Sequence, residues 1–179
     1  MLEIPIPKGK VFNNDTQMFY DVRPCTLNME HSLISVSKWE AKWHKSFLSA
    51  KDKTVEMTID YIRCMTISKN IDPIVYYALT PEDISKINAY IEDPMTATTF
   101  NEPKRPPSRK IVTSEQIYYW MFCYSIPKEC EQWHLNRLLT LIHIFELESQ
   151  PKKKMSRSAI LKQNAALNDA RLAKLRTRG

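Results

Sequence analysis

Four histidines (His31, His44, His134, His143) and four cysteines (Cys25, Cys64, Cys123, Cys130) are the residues here that could hold a metal or act as nucleophiles. A zinc site draws its ligands from closely spaced pairs that share one helix face or one tight turn. No histidine pair shows H-x-x-x-H or H-E-x-x-H spacing, and no cysteine pair shows C-x-x-C. His134 and His143 are nine residues apart, so they point about 180° away from each other on a helix turning about 100° per residue. No shared metal is expected. Cys130 and His134 stand i, i+4 on a stretch that reads as helical, within reach of each other. A catalytic cysteine also needs an electropositive setting, an oriented base and a group to stabilise an oxyanion. The flanking sequence offers none of these, so the expectation is a buried thiol beside a core histidine.

The paired carboxylates Glu92-Asp93 and Glu146/Glu148 have ordinary surface spacing. Gly9 and Gly179 are the only glycines. Phosphate-wrapping loops need several, because backbone N–H groups must approach the anion closely. Walker and dinucleotide fingerprints are therefore excluded. The chain reads as non-enzymatic, with no catalytic residue, no metal and no cofactor expected.

The elements around these residues can be read from periodicity. Leu2, Ile4 and Ile6 alternate, though Pro5 and Pro7 limit that piece to an edge or extended arm. "KVF" and "QMFYDV" flank "NNDT", which predicts a β-hairpin over about residues 10–22, and Cys25, Leu27 and Met29 alternate as a third strand. Helical signals come next. "SKWE" at 37–40 matches a capping box with Ser37 as N-cap and Glu40 reaching back, and Trp39, Trp43 and Phe47 then share one face. A second helix begins after Thr54, with Val55, Ile59, Ile62 and Thr66 as its inner stripe. Asp72-Pro73 and Thr80-Pro81 each start a helix, the latter with Ile84, Ile87 and Ile91 inward. Three prolines and four basic residues in "NEPKRPPSRK" (101–110) mark a loop.

Beyond that loop, Thr113 and Gln116 offer a further capping box, with Ile117, Trp120, Met121 and Tyr124 as the stripe. Pro127 is expected to open the longest helix, carrying His134, Leu138, Leu141 and Phe145, with Leu135, Leu139 and Ile142 widening its face. The fold class is therefore mainly α (α+β): a compact helical domain with an N-terminal β-hairpin or small antiparallel sheet and a projecting basic C-terminal helix. The expected organisation is 1–30 as an extended or hairpin segment packed on the body, 31–150 as the helical domain, and 151–179 as a basic arm.

Charge separates those regions. The formal charge is +6, yet residues 151–179 carry nine Lys/Arg against Asp169, leaving the rest at −2. From about Ser158, Leu161, Ala165, Asn168, Leu172 and Leu175 form a narrow seam at 4-3-4-3 spacing, and a lone helix of that length is marginal in water without a partner. Three roles fit such an arm: phosphate binding, a nuclear address from "PKKK", or docking as a helix onto an acidic or apolar protein surface. The arm has no aromatic residue for base stacking and the body is not basic, which disfavours nucleic acid. Aromatic content in "IYYWMFCY" (117–124) exceeds what one helix face buries and suits a protein interface as well as a core. The residues expected to bind a partner are therefore Lys152, Lys153, Lys154, Arg157, Leu161, Leu172 and Leu175 on the arm, and Trp120 and Tyr124 on the body. No signal peptide and no membrane-length apolar run are visible, so a soluble protein made inside a cell is expected.

Five segments carry a resemblance: "EHSLISVSKWEAKWHKSFL" (30–48), "YIRCMTI" (61–67), "YIEDPMTATTF" (90–100), "WHLNRLLTLI" (133–142) and "PKKKMSRSAILKQNAALNDARLAKL" (151–175). With their spacing they cover most of the chain, which resembles small structural-module proteins of long-tailed bacteriophages, among them tail assembly chaperones. That resemblance implies a non-enzymatic role in the host cytoplasm, binding the long helical tape measure protein and recruiting tail tube subunits. Within the same setting it also allows a virion component (a head–tail connector, completion or tail protein) whose arm inserts into a neighbouring subunit. A small phage DNA-binding protein is a third class. "TPEDISKINAYIED" lacks the glycine turn and basic recognition helix of a helix-turn-helix. Oligomeric state is left open.

Overall fold

A computed structural model describes residues 1–13, 17–50, 52–100, 111–149 and 157–175. The protein is mainly α-helical with N-terminal antiparallel strand pairs, an α+β fold. It divides into two compact units, residues 1–145 and 146–179. Among the described residues, no helix is long and apolar enough to cross a membrane.

In the first unit, β1 (Leu2–Ile6) pairs antiparallel with β4 (Cys25–Met29), and β2 (Gly9–Asn13) pairs with β3 (Met18–Val22). Both ladders keep one register, Ile6 facing Cys25 and Gly9 facing Val22, so the four strands are one long hairpin interrupted between its halves. Pro7 and Pro24 occupy facing positions in that interruption. Neither has an N–H to donate, so the rung between them cannot form. Alternation then sorts the faces: Ile4, Ile6, Val22, Leu27 and Met29 are buried, while Glu3 and Pro5 face outward.

The free edge of β4 is closed by the C-terminal end of α2 (Val55–Met65) and the two residues beyond it. Glu30 N donates to Met65 O at 2.9 Å and Ile67 N to Asn28 O at 2.8 Å. Helix α1 (Leu33–Trp43) is capped by Ser32, whose Oγ accepts from Ser35 N at 3.3 Å. This corrects the expected cap at Ser37, which lies inside the helix. Beginning at Leu33 lets α1 bury Leu33 and Val36 as well as Trp39, apolar surface that a start at Ser37 would forgo. His44 (φ 51°) ends the helix in the left-handed region, so Phe47 lies beyond it but still meets Trp39 edge-on at 5.2 Å. Trp39 Nε1 donates to Met57 O at 2.9 Å, which fixes α1 on α2.

Thr54 caps α2 as expected, but the inward stripe is Met57, Tyr61, Ile62 and Met65. Val55 is 77% exposed and Ile59 only half-buried. Asp72 caps a short 3-10 helix (Pro73–Ala78), and Thr80 with Asp83 forms a reciprocal capping box for α3 (Pro81–Glu92), where Ile87 is the buried anchor. Thr113 caps α4 (Ser114–Cys123), with its Oγ1 accepting from Gln116 N.

The long helix expected from Pro127 is broken. A 3-10 helix (Lys128–Gln132) comes first, and α5 (Leu135–Ser149) starts only after His134. The break has a tertiary cause: His134 forms a β-bridge with Ser32, and Leu135 N donates to His31 O at 2.7 Å. Leu135, Leu138 and Ile142 are the buried residues of α5, while Leu139 and Leu141 are partly covered and Phe145 is exposed. In the second unit, α6 (Arg157–Leu175) has 19 residues against 15 in α5, so α5 is not the longest helix.

Candidate partner-binding surfaces

Cys130 and His134 fall in different elements, the first in the 3-10 helix and the second in the break before α5. Burial raises the Cys130 thiol, first among the causes, which disfavours the thiolate a nucleophile needs. His134 is instead joined to a residue far away in the chain: the His31 and His134 rings lie 5.0 Å apart at 67°. His31 Nδ1 is hydrogen-bonded with the Tyr61 hydroxyl, and Phe47 stacks on Tyr61 at 3.8 Å. His134 Nε2 donates to the Tyr90 carbonyl at 3.0 Å, since a carbonyl can only accept. The Tyr90 hydroxyl donates to Glu30 Oε1 at 2.7 Å, and the Met1 amino group pairs with Glu30 Oε2 at 3.1 Å.

Burial first, then the neighbouring His134 and Lys53, push His31 down to about 3. Burial first raises Tyr61 and Tyr90. The cluster is a bracket that ties the residue 30–32 segment to α2, α3 and the start of α5. Among the described residues, no group of three or more His, Cys, Asp or Glu side chains is placed to hold a metal.

A second buried polar group positions α4. The Glu40 carboxylate accepts from Phe47 N at 2.7 Å through one oxygen and from Ser114 N at 2.7 Å through the other. An acidic group at the first residue of a helix satisfies an otherwise orphaned N–H and complements the helix dipole. Glu40 thus serves α4, not the capping box with Ser37 that the sequence suggests. Held this way, α4 buries Ile117 and Met121 and leaves Trp120 and Tyr124 half-buried on its flank. Tyr124 stacks on Phe145 at 5.5 Å, nearly parallel at 14°.

The fully outward positions of α4 are different aromatics. Tyr119 is 60% exposed and Phe122 76%, with the exposed Cys123 beside them. Cys123, one turn on from Tyr119, raises the Tyr119 pKa. Sequence reasoning chose Trp120 and Tyr124 for this surface. The signal for Tyr119 and Phe122 was available, because they lie about 160° and about 140° from Ile117 on a helical wheel, off the stripe that must face the core. A further aromatic surface lies on the distal hairpin, where Phe12 and Phe19 meet at 5.0 Å while both stay exposed.

Of the basic-arm residues, Lys152, Lys153 and Lys154 lie outside the described residues, and Arg157 opens α6. Leu161 (65% exposed), Leu172 and Leu175 (69% exposed) stand in solvent along that helix, as does Leu167. The structure thus brings Trp120 and Tyr124 together on one face of α4 and strings Leu161, Leu172 and Leu175 along α6. Compared with known families, curated proteins and solved structures, the chain matches no family model, no curated sequence and no solved structure.

Proposed function

We propose that this protein is a non-enzymatic assembly factor of a tailed bacteriophage, a tail assembly chaperone that binds the tape measure protein and tail tube subunits in the host cytoplasm. The observation that carries the reading is the outward aromatic face of α4, Tyr119 and Phe122, on a helix rigidly anchored from behind. Aromatic side chains on a rigid support give large contact area at low entropic cost, and such residues anchor protein interfaces. A long apolar helical client needs this kind of cover while it waits for its tube. The five phage-like segments supply the setting, and no step of the role calls for a metal or cofactor.

A second reading within that setting is a virion component whose arm inserts into a neighbouring subunit, which the exposed leucines of α6 favour. Co-expression with the tape measure protein of the same phage separates the two. The chaperone reading expects a stable complex and absence from finished particles. No complex, together with stoichiometric presence in purified virions, overturns it in favour of the structural component.

A further inference from the structure

The outer face of the distal hairpin carries two cross-strand pairs side by side. Lys10 faces Asp21 and Phe12 faces Phe19, and Lys10 and Phe12 are two residues apart, so all four stand on one side of the ribbon. The opposite side, where Val22 is buried, is turned to the body, and the 3-10 helix Pro73–Ala78 contacts both strands. On the outer side Phe12 and Phe19 are 42% and 69% exposed, with their rings 5.0 Å apart. The Lys10 and Asp21 side chains are 71% and 81% exposed, and Lys10 Nζ stands 3.9 Å from Asp21 Oδ1. That separation is longer than a hydrogen bond, so the ammonium and the carboxylate each keep capacity for a second partner.

We propose that this face pairs with the same face of a second copy of the chain, the two ribbons stacked about a two-fold axis that runs along the strands between them. Such an axis carries β2 of one copy over β3 of the other, an isologous contact in which each group meets its cross-strand neighbour's equivalent. Lys10 then lies over Asp21 of the second copy and Asp21 over Lys10 of the second copy, while Phe12 and Phe19 cross in the same way. The strands stay aligned, as in sheets that stack face to face within about 30°. A two-fold axis across the strands, through the aromatic pair, fits worse. It sets each Lys10 about 13 Å along the strand from Asp21 of the second copy, at about 3.3 Å per residue. Charge is what selects a copy of the same chain. The face is neutral, with one charge of each sign, so an acidic surface meets Asp21 and a basic one meets Lys10. The phosphates of nucleic acid or of an anionic membrane meet an exposed carboxylate beside a single lysine. A fitting partner offers a base and an acid in swapped order next to an aromatic pair, and a second copy does so by symmetry. The contact is small. At about 200 Å² per ring, the two phenylalanines leave roughly 220 Å² per copy in water. Below about 1,000 Å² in total, such a contact gives a weak, reversible dimer. The inference stands apart from the assembly role above and goes beyond it.

The test is sedimentation equilibrium of the full-length protein from about 5 to about 500 μM at about 150 mM salt. A reversible dimer with Kd between about 10 and about 200 μM is expected. Phe19→Ser is expected to weaken it at least about tenfold. Because the Phe19 ring is already in solvent, that variant is expected to melt with wild type. Lys10→Glu sets an acid against Asp21 of the second copy twice over, and Asp21→Lys does the same with lysines. Each of these variants alone is expected to be monomeric. Mixed one to one, they are expected to recover the dimer, because each then supplies the charge that the other lacks. A hairpin merely unfolded by the substitutions would give no such recovery. A wild-type chain that stays monomeric up to about 500 μM overturns the proposal. So does a dimer that Phe19→Ser leaves at full strength, a charge variant that dimerises alone as well as wild type, or a mixture of the two charge variants that stays monomeric.

Discussion

Helices α4 and α6 both leave large apolar side chains in water, yet they differ in what holds them. Behind α4 stand two fully buried anchors, Ile117 and Met121, a Thr113 cap and the Glu40 carboxylate on Ser114 N. Burial of those two side chains alone stabilises the helix position by about 2 kcal/mol each. On α6 the described side chains are all exposed, and none of them forms a buried face comparable to that of α4. An isolated helix of this length is marginal. The contrast separates two kinds of candidate partner surface. One is preformed, with little ordering cost on binding; the other gains its stability from whatever covers it.

That contrast can be broken at Glu40 first. Glu40→Ala leaves two buried backbone N–H groups, of Phe47 and Ser114, without their acceptor. A loss of about 3 kcal/mol is expected from hydrogen bonds to a charged group, read as a drop in the urea midpoint of the folded body. Client binding through α4 is expected to weaken with it.

The next effect comes from acid. His31 titrates near 3 in the folded state against about 6.5 unfolded, so the unfolded chain binds more protons between those limits. The stability it contributes is therefore present above about pH 6.5 and is lost as pH falls toward 3. The groups facing it are Tyr61 from α2, Phe47, His134 before α5 and Lys53, with Tyr90 and Glu30 one contact further out. None places an acid in direct contact with the His31 ring to stabilise its cation. Urea titrations from pH 7 to 4 are expected to show a slope steeper than that of His31→Gln by up to about 1.4 kcal/mol per pH unit. Superimposable profiles would show that the histidine bracket does not control acid sensitivity.

Thr113→Ala should be milder, about 1 kcal/mol, since it removes one cap while Glu40 still holds Ser114 N. Smallest of all is Phe122→Ser, expected to change stability by no more than about 0.5 kcal/mol because the ring is already in solvent.

The local features of this fold were legible and the long-range ones were not. Thr54, Asp72, Thr80 and Thr113 all cap where expected, because a cap is decided by residues three or fewer apart. Alternation located each strand in the same way. Ser37 failed because a capping-box pattern also occurs inside a helix already started at Ser32, and Glu40 had a stronger use on a helix 74 residues away. The α5 start failed for the same kind of reason: a backbone bridge from Ser32 ends helical winding at His134. His31 and His134 could not be paired from spacing, since only tertiary folding brings them together. Of the candidate surface, the leucines of α6 were found by periodicity. On α4 the stripe logic found the flank, Trp120 and Tyr124, and passed over Tyr119 and Phe122, although both lie well away from Ile117 on the helical wheel and are exposed.

The most direct test is the affinity of full-length protein for its tape measure protein, comparing wild type with a Tyr119→Ser/Phe122→Ser double variant. Both side chains are exposed, so the variant is expected to melt with wild type. The preformed aromatic face predicts a loss of at least about 2 kcal/mol of binding, roughly thirtyfold in Kd. An unchanged Kd with an unchanged melting profile would contradict it.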